Sequence, residues 1–103
     1  MVSPRPAPTP SRFTATAYTI AGTTASGEPT REGTCAADPA ILPLGTRIRV
    51  RGAGRRSGVY VVKDSGRKVV GRTIDLYIAH DAEAKRFGRR EVSIEVLRWG
   101  SGA

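Results

Sequence analysis

Cysteine and histidine are nearly absent from this 103-residue chain, which contains one of each, Cys35 and His80. A single cysteine excludes a disulfide within the chain and any multi-cysteine metal site, and His80 has no second histidine with which to share a metal. Cys35 lies in a run of small residues, so we interpret it as a small buried hydrophobe rather than a nucleophile. His80 directly precedes Asp81, and we interpret it as a helix-capping residue.

Long apolar segments are also missing from the chain. No apolar run reaches the length needed to span a membrane, and none resembles the core of a signal peptide. We therefore predict no transmembrane segment, and any export signal would lie outside this chain. The proline-rich start is consistent either with what remains after removal of a leader or with a tether to another module.

Acidic residues are few: 9 Asp and Glu stand against 17 Lys and Arg, which gives a net charge of +8. A basic surface attracts nucleic acids, acidic polymers and anionic lipids. No basic helix and no aromatic stacking platform accompany this charge, so specific nucleic-acid binding is not predicted. We interpret the charge mainly as a solvated surface, with an anionic polymer such as the bacterial cell wall as the main alternative.

The periodicity of the sequence predicts one small domain, mainly all-β, flanked by tails. Residues 1–12 hold four of the seven prolines and are predicted to form a linker, residues 13–99 the domain, and residues 100–103 a tail. Alternating or β-branched segments predict strands at 13–19, 46–51, 58–64, 68–70, 73–78 and 91–98. A helix is predicted at 81–87, closed by Gly88, and a helical turn at Asp38. Closure into a six-stranded barrel would remove the exposed strand edges.

Two aspartates stand out against this pattern. Asp75 lies inside an apolar strand, where an unpaired carboxylate is costly to bury. Asp64 ends another apolar strand, where an aspartate that begins a turn is the ordinary interpretation. If the two carboxyl groups lie close together, partial burial and mutual repulsion would raise a pKa. A carboxyl group that stays protonated near neutral pH can serve as a general acid.

Several motifs occur in an order that resembles the three-aspartate (3D) domain. They are TASG (24–27), ADPAILPLGTRIRV (37–50), KDSG (63–66), GRTIDLY (71–77) and AKRFGRREVSIEVL (84–97). The three shared aspartates of that family map onto Asp38, Asp64 and Asp75. The resemblance implies a double-psi β-barrel. It also implies a relation to the catalytic part of a membrane-bound lytic transglycosylase, to stationary-phase survival proteins and, more distantly, to rare-lipoprotein-A and expansin barrels.

The resemblance also implies an activity: lytic cleavage of peptidoglycan between N-acetylmuramic acid and N-acetylglucosamine, leaving a 1,6-anhydro end. It assigns the acid/base role to Asp75. Asp64 would tune the pKa of Asp75 and stabilise positive charge on the sugar, and Asp38 would support the substrate groove by capping its turn. Candidate contacts along the glycan are Tyr18, Thr24, Ser65 and Gly66. This chemistry needs no cofactor and no metal. We expect a monomer acting on glycan strands outside the cell or in the bacterial cell envelope.

Two positions depart from the family pattern. Arg67 replaces the second glycine of the turn that follows Asp64, and Val70 replaces a lysine before Gly71. Both changes alter the charge or the substrate contacts expected near the site, more than they alter the fold. Two alternatives to an enzyme therefore stay open: a polysaccharide-binding or wall-loosening module of expansin type, and a basic adaptor for nucleic acid or an anionic wall polymer.

Overall fold

The computed structural model describes residues 11–20, 22, 25–66 and 68–102. Within these residues six strands close into a barrel in the order β1-β5-β2-β4-β3-β6, and one α-helix lies outside it. The strands are β1 (Ser11–Tyr18), β2 (Thr34–Ala37), β3 (Arg47–Arg51), β4 (Gly58–Asp64), β5 (Thr73–Tyr77) and β6 (Arg90–Arg98). The helix α1 spans Asp81–Phe87, and a 3-10 turn spans Gly54–Arg56. The mainly all-β, six-stranded barrel is confirmed.

Two of the strand pairs are parallel, β1 with β5 and β2 with β4, and the other four are antiparallel. Parallel neighbours need long crossover connections, so these two pairs tie together strands that are far apart in the chain. This mixture within a closed six-stranded barrel is consistent with the double-psi topology.

The interior of the barrel is filled by alternate residues of the strands. In β3, Ile48 and Val50 are fully buried while Arg47 and Arg51 are exposed, as their alternation predicts. The same pattern buries Val92 and Ile94 in β6 and leaves Val96 partly buried against the core. Burial of these apolar side chains is the main favourable contribution to folding.

The sixth strand is not the one that the sequence predicts. Residues 68–70 form no strand, and the strand that takes this place is β2, whose four residues are all buried. Its small side chains fit between β4 and β5, to which β2 is hydrogen-bonded on its two edges. Alanine is depleted in strands generally, so tertiary pairing overrides local preference here. Cys35 in β2 is fully buried, which confirms its interpretation as a core residue.

The helix and the chain ends complete the fold. Helix α1 has the predicted bounds and ends at Gly88, whose φ is 63°. His80 occupies the N-cap position, but its side chain makes no capping hydrogen bond within the described residues. Of the predicted linker, only residues 11 and 12 are described. They belong to β1, which begins at Ser11. No helix in the described part of the chain is long and apolar enough to cross a membrane.

Candidate active site

Strand β2 brings the two unusual aspartates onto one face of the barrel. Ala36 is the register partner of Asp75 on β5 and, beyond a register shift in the pairing of β2 with β4, of Asp64 on β4. Both carboxylates lie close enough to the Tyr18 phenol to add to the effect of burial on its pKa, so the two aspartates meet on one side of the barrel wall. Two strand spacings place the Cα atoms of the aspartates roughly 10 Å apart. Asp64 and Asp75 are eleven positions apart in the sequence, but in the barrel they lie in one row across neighbouring strands. We call this row the aspartate row.

Asp75 points out of the barrel and is only partly accessible. Its neighbours Ile74 and Leu76 are fully buried in the core, so alternation along β5 places the carboxyl group on the outer face. Thr16, its register partner on β1, donates a hydrogen bond from Oγ1 to Oδ1 at 3.0 Å. Burial raises the pKa of Asp75, and this hydrogen bond opposes the rise. Burial, and not the neighbouring Asp64, is therefore the cause of the raised pKa.

Asp64 organises the loops beside the site. Its Oδ1 accepts hydrogen bonds from the backbone N–H groups of Ala25 at 3.0 Å and Ser65 at 2.9 Å. One carboxylate oxygen thus joins the long loop after β1 to the turn after β4. The loop that follows β1 therefore reaches Asp64 through Ala25.

Tyr18 lies beside the row, two residues beyond Thr16 on the same face of β1. Its ring meets that of Tyr77, its register partner, edge to face at 5.5 Å between centroids. Burial raises the pKa of Tyr18, and the negative charges of Asp64 and Asp75 raise it further, so the phenol keeps its proton. Its hydroxyl is buried and has no hydrogen-bond partner among the described residues. An unsatisfied buried donor costs about 1–3 kcal/mol.

Asp38 has a different role from the other two aspartates. Its Oδ1 accepts from the N–H of Ala40 at 3.0 Å, and its Oδ2 accepts from the N–H of Gly71 at 2.8 Å. Both bonds lower the pKa of Asp38, the Gly71 bond most. The carboxylate thereby fastens the turn after β2 to the segment that leads into β5. Through Gly71, Asp38 is bonded to the segment that immediately precedes the strand carrying Asp75.

Of the remaining predicted residues, some lie next to the site and others lie outside the described residues. Ser65 and Gly66 are exposed directly after Asp64, next to the site. Thr24 and Arg67 lie outside the described residues, and Val70 is exposed. Sequence reasoning missed Thr16 and Ala36. Alternation along β1 could have found Thr16, which shares a face with Tyr18, whereas Ala36 lies in a strand whose composition gives no signal.

Metal binding has no visible basis in this part of the molecule. Within residues 11–20, 22, 25–66 and 68–102, no three His, Cys, Asp or Glu side chains are grouped so that they could hold a metal ion. The groups that this face offers are two carboxyls, a phenol and a threonine hydroxyl, which suit proton transfer and hydrogen bonding to a polar ligand.

The sequence model of the 3D domain family matches residues 33–98, a span that contains Asp38, Asp64 and Asp75. The chain belongs to the 3D domain family. This 3D domain is 33% identical over 93 residues to the cell wall-binding protein YocH of Bacillus subtilis, covering 82% of this chain and 31% of YocH. It is 29% identical over 89 residues to the putative cell wall shaping protein YabE of the same organism, covering 82% of this chain and 21% of YabE. The chain thus spans less than a third of either relative.

Solved structures show the same barrel. The crystal structure of MltA from Escherichia coli superimposes on this 3D domain with a TM-score of 0.61 and 20% identity, covering 77% of this chain and 28% of MltA. A second MltA structure, described as a unique lytic transglycosylase fold, gives a TM-score of 0.60 and 21% identity, covering 79% and 28%. At this identity the likeness establishes the fold.

Proposed function

We propose that this 3D domain is a lytic transglycosylase that cleaves the glycan strands of peptidoglycan with Asp75 as its single acid/base. The observation that carries the proposal is the setting of Asp75. It is half-buried, its pKa is raised, and it faces outward in one row with Asp64. A carboxyl group with a raised pKa is suited to donate a proton near neutral pH.

The proposed reaction needs one carboxyl in two successive roles. Protonated Asp75 donates its proton to the glycosidic oxygen, and the bond from that oxygen to the anomeric carbon of N-acetylmuramic acid breaks. The resulting Asp75 carboxylate takes the proton of the 6-hydroxyl of the same sugar, whose oxygen bonds to the anomeric carbon. The product carries a 1,6-anhydro end, Asp75 regains its proton, and no water is consumed. Hydrolytic glycosidases, by contrast, generally use a pair of carboxyls.

The other residues of the row would support this step. Asp64, which accepts hydrogen bonds from two backbone N–H groups, would stabilise positive charge that develops on the sugar ring. The Tyr18 hydroxyl is a buried donor without a partner in the described chain, and it would bind a sugar oxygen. Ser65 and Gly66 would contact the glycan beside Asp64, and Thr24 is proposed for the same role. The names of the relatives, cell wall-binding and cell wall shaping, support a place in the cell envelope or outside the cell.

A second function has one specific observation in its favour. The relative YocH is named as a cell wall-binding protein, without reference to cleavage. A binding module would use the same face and the same Tyr18 donor but would not depend on a protonated Asp75.

Product analysis distinguishes the two functions. Purified glycan strands are incubated with the wild-type protein, and the products are identified by mass spectrometry, with the heat-unfolded protein as control. We expect 1,6-anhydro-muramic acid ends to accumulate. New reducing ends would instead indicate hydrolysis, and strands that are bound but intact would establish the binding module; either result overturns the lytic proposal.

Tyr18→Phe tests the donor at the site. The variant loses a hydroxyl that has no partner in the described chain, so we expect unchanged or slightly raised thermal stability. Glycan affinity, measured by calorimetry, should fall about 2- to 10-fold, the equivalent of one hydrogen bond. The matched control is Tyr60→Phe, whose hydroxyl donates to the Arg56 carbonyl oxygen at 2.7 Å. That variant should lose stability and keep its glycan affinity; the opposite pattern would remove Tyr18 from the site.

A further inference from the structure

A concave site lies away from Asp64 and Asp75, between the 3-10 turn and helix α1. It is a cavity of about 110 Å³, and apart from Ala53 and Phe87 its lining is charged. The charged lining residues are Arg55, Arg56, Glu83, Arg86 and Arg90. We call this site the arginine pocket. Asp64, Asp75 and Tyr18 are not among its lining residues.

Arg56 removes the only negative charge of the pocket lining. Its Nε and Nη2 donate to the two carboxylate oxygens of Glu83 at 2.5 and 2.6 Å, and its Nη1 donates to Glu32 Oε1 at 2.6 Å. These bonds lower the pKa of Glu83 and raise that of Arg56, so both stay ionised and paired. Arg56, Glu83 and Glu32 therefore form one hydrogen-bonded group with a net charge of −1, of which Arg56 and Glu83 line the pocket.

The other three arginines leave the pocket with an excess of positive charge. Arg55, Arg86 and Arg90 make no ion pair within 4.0 Å in the described part of the chain, although Arg55 lies close enough to Glu83 to contribute to the lowered pKa of that carboxyl. Like charges gathered at one cavity repel one another, and a bound anion would relieve that repulsion. A concentration of guanidinium groups of this kind favours an oxyanion that accepts paired N–H bonds.

Arg90 is already held in a fixed position. Its guanidinium carbon lies 4.5 Å from the centroid of the Phe87 ring, and its Nε donates to the Phe87 carbonyl oxygen at 2.9 Å. Gly54, with a φ of +60°, leaves the space beside it open, since a Cβ there would lie 3.2 Å from Arg90 Nη1. The two Nη groups are thus oriented before any ligand arrives, which reduces the entropy lost on binding.

The aromatic residues indicate which polyanion fits. Proteins that bind single-stranded nucleic acid stack its bases on accessible aromatic rings. All six aromatic residues of the chain are described, and none is exposed. The ring nearest the arginine pocket, Phe87, is 4% accessible and is covered by Arg90. A phosphate-bearing polymer without bases could accept hydrogen bonds from the arginines and would not need an aromatic ring for stacking.

We propose that the arginine pocket binds the phosphodiester groups of a polyol-phosphate polymer. This site is separate from the aspartate row and does not depend on glycan cleavage. A polymer of this class would hold the domain by its charged chain while the aspartate row stays free for a neutral sugar backbone. The net charge of +8 would add long-range attraction to the same ligand.

The test compares two double variants that remove the same charge. Arg86→Gln with Arg90→Gln alters the pocket. Arg47→Gln with Arg98→Gln alters a cross-strand pair, and Arg98 lies eight positions from Arg90 along β6, about 26 Å away. Binding of the full chain to a defined glycerol-phosphate oligomer is measured by calorimetry. Poly-glutamate and a single-stranded oligonucleotide of equal charge are measured in parallel.

We expect the pocket variant to bind the glycerol-phosphate oligomer at least about tenfold more weakly than wild type, and the control variant to change little. Circular dichroism melting of both variants verifies that they are folded. Equal losses of affinity in the two variants would show that general surface charge causes binding, and would overturn the proposal. Equal affinity for poly-glutamate, or tighter binding of the oligonucleotide through the same arginines, would also overturn the proposal. Loss of glycan cleavage alone would leave it standing.

Discussion

Replacing Asp75 with asparagine should abolish cleavage of glycan strands while the barrel stays folded. The proposed reaction uses this one carboxyl first as acid and then as base, and asparagine can do neither. General acid–base catalysis contributes about 10²–10⁴-fold, so product formation should fall by at least about 100-fold. The measurement is the rate at which 1,6-anhydro ends appear, followed by mass spectrometry. Glycan affinity should change little, because asparagine keeps the shape of the side chain and an oxygen that can accept from Thr16.

The matched control is Glu95→Gln, which removes the same charge from a half-buried strand position in β6. It should cleave at the wild-type rate. Cleavage that survives in Asp75→Asn would assign the acid to another group. Equal loss in both variants would show that net charge, and not one carboxyl, governs the rate.

Asp75 should also couple activity and stability to pH. Its pKa in the folded barrel is raised above the ordinary value of 3.8, mainly by burial. The folded state therefore binds this proton more tightly than the unfolded state does. Stability should decrease as pH rises from the unfolded pKa through the folded one, and cleavage should decrease as the acid ionises. Asp75→Asn should remove this part of the pH dependence and melt a few degrees higher than wild type at neutral pH.

Local patterns in the sequence predict most of the barrel, because its strands bury one face and expose the other. Strand β4 and helix α1 have the predicted bounds, and β3, β5 and β6 differ from prediction by one residue at one end. Strand β2 escapes such patterns, since its small residues are held by two neighbouring strands rather than by their own preference. The parallel pairing of β1 with β5 is equally non-local, and only the family resemblance implies it.

For the aspartate row, too, the sequence predicts some features and misses those that depend on neighbouring strands. Asp75 can be recognised from the sequence, because a carboxyl group inside an apolar strand conflicts with the residue preferences of strands and needs a functional explanation. Asp75 lies near Asp64 because both pair with Ala36 on β2, a strand that the sequence pattern does not predict. The expected effect of Asp64 on the pKa of Asp75 also differs from the structure, in which burial is the cause. Spacing along a chain cannot give burial, which is set by the strands packed on either side.

The chain beyond β6 should matter more for stability than its composition suggests. Gly100 packs against backbone: an added Cβ would overlap the carbonyl oxygen of Leu44 and the backbone of Gly45 and Thr46. The N–H of Gly100 donates to the Thr46 hydroxyl at 3.0 Å, and the N–H of Gly102 donates to the Leu44 carbonyl oxygen at 3.0 Å. Since Thr46 is fully buried, loss of the first bond would leave its hydroxyl without this donor. Gly100 and Gly102, in the predicted C-terminal tail, are thus hydrogen-bonded to the segment that leads into β3.

Gly100→Ala should consequently detach this segment and lower the free energy of unfolding by about 2–4 kcal/mol, with a fall in Tm of about 10 °C or more. Backbone cannot move aside as a flexible side chain can, so the clash is relieved only by losing both hydrogen bonds and the packing of Trp99 on the core. Gly22→Ala is the matched control, because an added Cβ there meets nothing within 4 Å. Urea unfolding of both variants gives the comparison. If Gly100→Ala unfolds at the same urea concentration as Gly22→Ala, the segment does not dock against residues 44–46 in solution.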